Sequence, residues 1–149
     1  MNLKEELYKA CKEHIEKREE TITKTIRSHQ NSLQSETKSS AGDKHETGRA
    51  MLQLEMEKAG QQLSEVDQMK TILSKVDYTT SSNIVHLGSI VKTNKANYFI
   101  SISTGQIKTE STNYYAISLA SPIGKLLLGK QKGDSFLLNN NTITITEVL

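Results

Sequence analysis

The sequence predicts an α+β protein in which an N-terminal antiparallel helical hairpin precedes a small β-sheet domain with one short helix. Three observations predict it. Apolar residues recur at three- and four-residue steps through the first half, a run of turn residues divides that half in two, and after Val76 the pattern changes to short β-branched stretches.

From Leu3 to Lys38 there is neither Gly nor Pro, and Leu3, Leu7, Cys11, Ile15, Ile22, Ile26 and Leu33 mark one face of a single long helix. Glu13 with Lys17 and Glu20 with Lys24 add supporting pairs one turn apart. Over residues 46–76 a second helix is expected, its seam formed by Leu52, Met56, Ala59, Leu63, Val66, Met69, Leu73 and Val76 at near-heptad spacing. Gly60 within it costs about 1 kcal/mol relative to Ala.

Between the helices, Ser39-Ser40-Ala41-Gly42-Asp43 is a run of turn and capping residues. If the arms fold back on each other, facing seam residues must lie equally far from the apex. Leu33 with Leu52, Ile26 with Ala59 and Ile22 with Leu63 are each equidistant from a point between Gly42 and Asp43, and Cys11 with Leu73 is so to within one residue. Gly42-Asp43 therefore sits at the tip. Arms of roughly 30 to 35 residues rising 1.5 Å per residue make the hairpin on the order of 50 Å long.

Residues 83–91, 98–102, 114–119, 135–138 and 142–148 read as strands, the last two joined by Asn139-Asn140-Asn141, which tolerate left-handed turn conformations. Ser121-Pro122 opens a short helix with Ser at the cap and Pro at its first position, and Gly129 stands where it ends. The expected organisation is a hairpin over 1–76 with its tip near 42–46, a linker over 77–82 and a sheet domain over 83–149.

Composition narrows function. In 149 residues, 35% are hydrophobic and only 5% aromatic, with no Trp, while 24% are charged, which leaves little material for a deep core. With 19 basic against 17 acidic residues, any contact with nucleic acid or an acidic membrane must be local. The single cysteine, Cys11, excludes an internal disulfide framework and a Cys-rich zinc site. No stretch approaches the ~18 apolar residues of a spanning helix and the start lacks a signal-peptide core, so a cytoplasmic protein without a membrane partner is expected.

Ile117-Ser118-Leu119-Ala120-Ser121-Pro122-Ile123-Gly124-Lys125-Leu126-Leu127-Leu128-Gly129-Lys130, followed by Lys132-Gly133-Asp134, closely resembles the C-terminal signature of the GreA/GreB transcription elongation (transcript cleavage) factors. Val85-His86-Leu87-Gly88-Ser89-Ile90-Val91 looks like that family's first C-terminal strand, and Gly42-Asp43-Lys44-His45-Glu46 is similar to its hairpin tip. The resemblance implies an FKBP-like C-terminal domain docked at the rim of the RNA polymerase secondary channel, with the hairpin passing down that channel. It implies that Asp43 and Glu46 act in trans as catalytic acids, helping to hold Mg²⁺ shared with the polymerase near the nascent RNA 3′ end, and that backtracked RNA is then cleaved. Ser121 and Pro122 would belong to the loop that meets the polymerase. On this reading the chain is an accessory factor and not itself an enzyme, binds no cofactor stably alone, and is a monomer.

Two alternatives accompany it. Thr47, Gly48, Arg49 and Ala50 stand where the family has an Asn and an aromatic, and Lys44 and His45 lie between the acids, a pattern that also suits a channel-occupying regulator or inhibitor without cleavage stimulation. An FKBP-like fold would also suit a prolyl isomerase, against which the scarcity of pocket-lining aromatics counts.

Residue by residue, plainer readings stand beside these. Asp43-x-x-Glu46 at a helix start has capping-box spacing, and Ser40 is a further candidate cap. Lys24, Arg27, Lys38 and Arg49 read as a solvated helix face before they read as RNA phosphate contacts. Cys11 and His14 share a helix with no oxyanion donors, so Cys11 is read as a packing residue. His29, His45 and His86 have no metal-ligand spacing, and Tyr114 and Tyr115 are read as strand packing.

Overall fold

The computed structural model describes the backbone of residues 2–38 and 42–149 and the side chains of residues 2–35 and 47–149. Helix α1 spans Leu3–Lys38 and α2 spans Gly42–Ser74. Asn2 Oδ1 accepts the Glu5 N–H at 2.7 Å and caps α1, while Glu5 and Glu6 place negative charge beside its positive dipole end.

The helices form the expected hairpin, with the expected seam. Leu7, Cys11, Ile15 and Ile22 of α1 and Ala59, Val66 and Leu73 of α2 are buried. Arg18 fixes the register: its guanidinium meets the Glu65 carboxylate at 2.7 Å and the Met69 sulfur at 3.5 Å, two residues to either side of the position that fold-back about Gly42-Asp43 puts opposite it. Helix α2 starts earlier than the apolar pattern indicated, so Gly42 and Asp43 are already helical; its first turns carry polar residues that leave no periodic signal. The connection at residues 39–41, including Ser40 as a candidate cap, lies outside the described residues.

After α2 the chain builds six strands: β1 Ile90–Thr93, β2 Asn97–Ser101, β3 Gly105–Lys108, β4 Asn113–Ser118, β5 Ser135–Leu138 and β6 Asn141–Val148. They form a sheet in the order β3-β4-β2-β1-β6-β5, in which β2 and β4 run parallel and every other neighbouring pair is antiparallel. Asn139 and Asn140 adopt positive φ in the tight β5–β6 turn, as their amide side chains allow.

The strand pattern differs from expectation in two places. β3 was not expected; its sequence Gly-Gln-Ile-Lys holds one apolar residue, and as an edge strand it buries none of its side chains fully. The first strand was expected from residue 83 but begins at Ile90. The stretch before it bridges Ile84 to Gln131, then turns at Gly88, whose φ of +94° a side chain would disfavour, with the Ser89 amide bonded back to the His86 carbonyl.

Helix α3, Pro122–Leu127, crosses from β4 toward β5. Its Leu127 joins Val85, Val91, Ile100 and Ile145 in a buried cluster on one face of the sheet, with Tyr98, Ile117, Ile123, Phe136 and Val148 packed around the margin. The opposite face receives the start of α1, where the Cys11 thiol lies 3.5 Å from the Ser101 hydroxyl. The chain resolves into two compact units, Met1–His14 with Lys70–Leu149, and Ile15–Met69.

Candidate functional site

The two acids expected at the tip, Asp43 and Glu46, occupy the first turns of α2, and positions three apart in a helix share one face. Their side chains lie outside the described residues, as do those of Lys38, Lys44 and His45. On the described part of α1, Lys24 is taken up by Glu20 at 2.9 Å, an exposed pair.

Ser121 is a helix cap. Its hydroxyl accepts the Gly124 N–H at 3.1 Å and donates to the Ser118 carbonyl at 2.6 Å, so one side chain closes both the end of β4 and the start of α3. Pro122 follows at the first helical position with its ring exposed. The segment is thus a rigid, outward-facing corner. Gly124 sets how closely α3 approaches the strand, since a Cβ there would lie 2.1 Å from the Ser118 carbonyl oxygen.

Cys11 is fully buried and burial pushes its thiol pKa up, with the Ser101 hydroxyl opposing, so it is a packing residue with little thiolate at neutral pH. His86 turns its Nδ1 toward the Ser89 hydroxyl at 3.0 Å and the Ile84 carbonyl at 3.1 Å, a local turn arrangement. Among the described residues no group of three or more His, Cys, Asp or Glu is placed to hold a metal ion. No helix of the described residues is long and apolar enough to cross a membrane.

Two features escaped the sequence. Lys4 lies on the seam side of α1 and is 93% buried, its ammonium donating to the Thr80 carbonyl at 2.7 Å; desolvation lowers its pKa against the opposing field of Asp77. Tyr114 and Tyr115, read together as packing, part company: Tyr114 is buried, whereas Tyr115 is 40% exposed, its ring 6.4 Å from that of Tyr98. Alternation along β4 signals that they face opposite ways. Which face is left open depends on what packs there, and that no local pattern encodes.

Fold and geometry together define an α+β protein in which a long two-helix arm accompanies a six-stranded mixed sheet with a single capping helix. No known family profile and no curated protein matches the chain. Among solved structures, the chain is similar to a prokaryotic transcription elongation factor GreA/GreB from Nitrosomonas europaea, with 20% identity, a TM-score of 0.33 and coverage of 56% of this chain and 78% of that one. It is also similar to the GreA factor homolog 1 protein of Thermus thermophilus, with 21% identity, a TM-score of 0.34 and coverage of 88% of this chain and 94% of that one.

Proposed function

We propose that this chain is a GreA/GreB-like transcription elongation factor that enters the RNA polymerase secondary channel and stimulates cleavage of backtracked RNA by the polymerase active site. One observation supports the reading: Arg18 of α1 meets Glu65 and Met69 of α2, contacts that fit two helices folded back on each other, and the acids Asp43 and Glu46 stand in the first turns of the second helix. The Ser121-Pro122 corner with its following helix agrees with the C-terminal part of the resemblance.

The donor set suits the ion it would help to hold. Mg²⁺ takes about six oxygens and accepts one or two carboxylates from a protein segment, so two acids bind it weakly alone and complete a site only when the polymerase supplies the remainder. When bound there, the ion supplies polarisation of phosphate and a lowered pKa of the attacking water. The chain's own part would be positional: the hairpin would carry the Asp43 and Glu46 positions, and the capped corner at Ser121-Pro122 would offer the polymerase a preorganised loop. The factor acts near the nascent RNA 3′ end, as a monomer, in the cytoplasm.

Added with Mg²⁺ to a stalled elongation complex, the protein should shorten the RNA from its 3′ end. Asp43→Ala combined with Glu46→Ala should abolish shortening while polymerase binding persists; shortening that survives the double substitution would refute the assignment of the acids. A second reading is favoured by Lys44 and His45 between the acids and by Thr47 to Ala50 after them: occupation of the channel without cleavage. On that reading the double variant inhibits RNA synthesis as strongly as the unaltered protein.

A further inference from the structure

We propose that the α3-side face of the sheet is a binding site for single-stranded nucleic acid, with Tyr115, backed by Tyr98, as the stacking platform and Lys108, Lys125 and Lys130 as the phosphate contacts. The charge of the chain is unevenly placed. Residues 83–149 hold six lysines against the three acids Glu110, Asp134 and Glu147, whereas the remaining residues hold thirteen basic against fourteen acidic side chains. The sheet domain is therefore the positive part of a nearly neutral molecule, which answers the expectation that any nucleic-acid contact be local.

Two of those three acids are engaged elsewhere. Glu147 pairs with Lys92 at 3.6 Å, and both stand on the face opposite Val91 and Val148 by alternation along paired strands. Asp134 accepts the Gln131 N–H at 2.8 Å in the turn before β5. Only Glu110 remains, in the turn between β3 and β4.

The α3-side face gathers the complementary groups. Tyr98 and Tyr115 are paired in register across the parallel strands β2 and β4, their rings tilted at 44°, with Tyr98 seated on the margin of the buried cluster and Tyr115 open to solvent. Gln106 pairs with Tyr115 and Lys108 with Asn113 on the edge strand β3, which places Gln106 and Lys108 on the same face. Lys125 is exposed on α3, the helix that covers this face through Ile123 and Leu127, and the Lys130 ammonium sits 5.9 Å from the Phe136 ring of β5, at the other edge of the sheet from β3.

An aromatic ring open on one side, with Gln106 and Lys108 beside it and further ammonium groups across the same face, suits an unpaired base of a strand whose phosphates run across the sheet, since every base offers a π-face and the backbone supplies the negative charge. A duplex cannot present an unstacked base, so single strands are preferred. The site shares α3 with the corner assigned to the polymerase, and its test contains no polymerase, so the two readings fail separately.

The test is fluorescence anisotropy of a labelled 12-nucleotide oligouridylate with the full chain. Binding should weaken with salt with a log–log slope of about −2, as for three phosphate contacts on a single strand. Tyr115→Ala should weaken binding about tenfold while Tyr115→Phe retains it. Lys108→Gln, an exposed change that leaves the fold untouched, should flatten the slope by about 0.7. Equal binding of oligothymidylate would extend the site to single-stranded DNA. Any of three results overturns the proposal: no salt-dependent binding, equal or tighter binding of a length-matched duplex, or binding that survives the sheet substitutions yet disappears on Lys24→Gln with Arg27→Gln.

Discussion

At position 124 the sheet domain admits no side chain, because the Ser118 carbonyl oxygen and the Leu119 Cα occupy the space a Cβ would take, at 2.1 and 3.0 Å. Both obstacles are backbone, so relief requires α3 to move off β4 and loosen Leu127 from the buried cluster. Gly124→Ala should cost at least about 1–3 kcal/mol, the usual range for overpacking, read as a lower urea midpoint at unchanged m-value. Cys11 makes a second residue-scale case. Its folded pKa is raised by burial, so the native state keeps a proton that the unfolded chain releases first. Stability is then intact below the unfolded thiol pKa and falls as pH rises toward the folded value, by at most about 1.4 kcal/mol per pH unit. Lys4 contributes with the opposite sign, since desolvation lowers its folded pKa and its burial cost is relieved as pH rises. Comparing the unaltered chain with Cys11→Ala cancels the Lys4 contribution. Cys11→Ala should be less stable at pH 8, with a gap that narrows by pH 10; a constant gap would mean that the thiol pKa is not raised.

At the scale of the element, the hairpin holds by its seam more than by its charges. Arg18 and Glu65 are 36% and 61% exposed, so their ion pair contributes no more than about 1 kcal/mol, and its value is as a marker of register. Val66 is fully buried in α2, and Val66→Ala should cost about 2 kcal/mol through lost transfer energy and the cavity left behind. Gly60, one residue past the buried Ala59, has open space where a Cβ would go, so Gly60→Ala should instead stabilise by up to about 1 kcal/mol. Opposite shifts of thermal midpoint for these two variants are the check. The same elements show what the sequence can and cannot express. Both helices are legible because a seam must repeat every three or four residues. Helix α3 is legible because Ser121, Pro122 and Gly129 are end signals that act locally. β3 is not, because an edge strand with one half-buried Ile107 needs neither alternation nor hydrophobicity to be held by the β4 ladder. Residues 84–89 mislead in the other direction, since Val85 and Ile90 are buried and look like one strand until Gly88 turns the chain between them.

For the molecule as a whole, the question is whether the long helices serve one chain or two. An intermolecular coiled coil needs an apolar stripe that its own chain leaves open. Here the stripe is already used: Leu7, Cys11, Ile15, Ile22, Ala59, Val66 and Leu73 are each at most 5% exposed within a single chain, and Arg18 ties α1 to α2 of the same molecule. What stays open on the described hairpin is Met51 and Leu54, 63% and 65% exposed, two residues one turn apart. Two such side chains offer far less apolar surface than the roughly 1,200 Å² of total buried area at the low end of stable interfaces. Light scattering on the eluting protein should therefore give the mass of one chain, 16.6 kDa, with no dependence on loading concentration. Met51→Gln with Leu54→Gln should leave that mass and the thermal midpoint unchanged, whereas a dimer mass abolished by this pair would show that the arm associates through its exposed side. A dimer that persists in the pair variant would mean instead that the seam is exchanged between chains, and the tip acids would then lie between two partners rather than at the end of one arm.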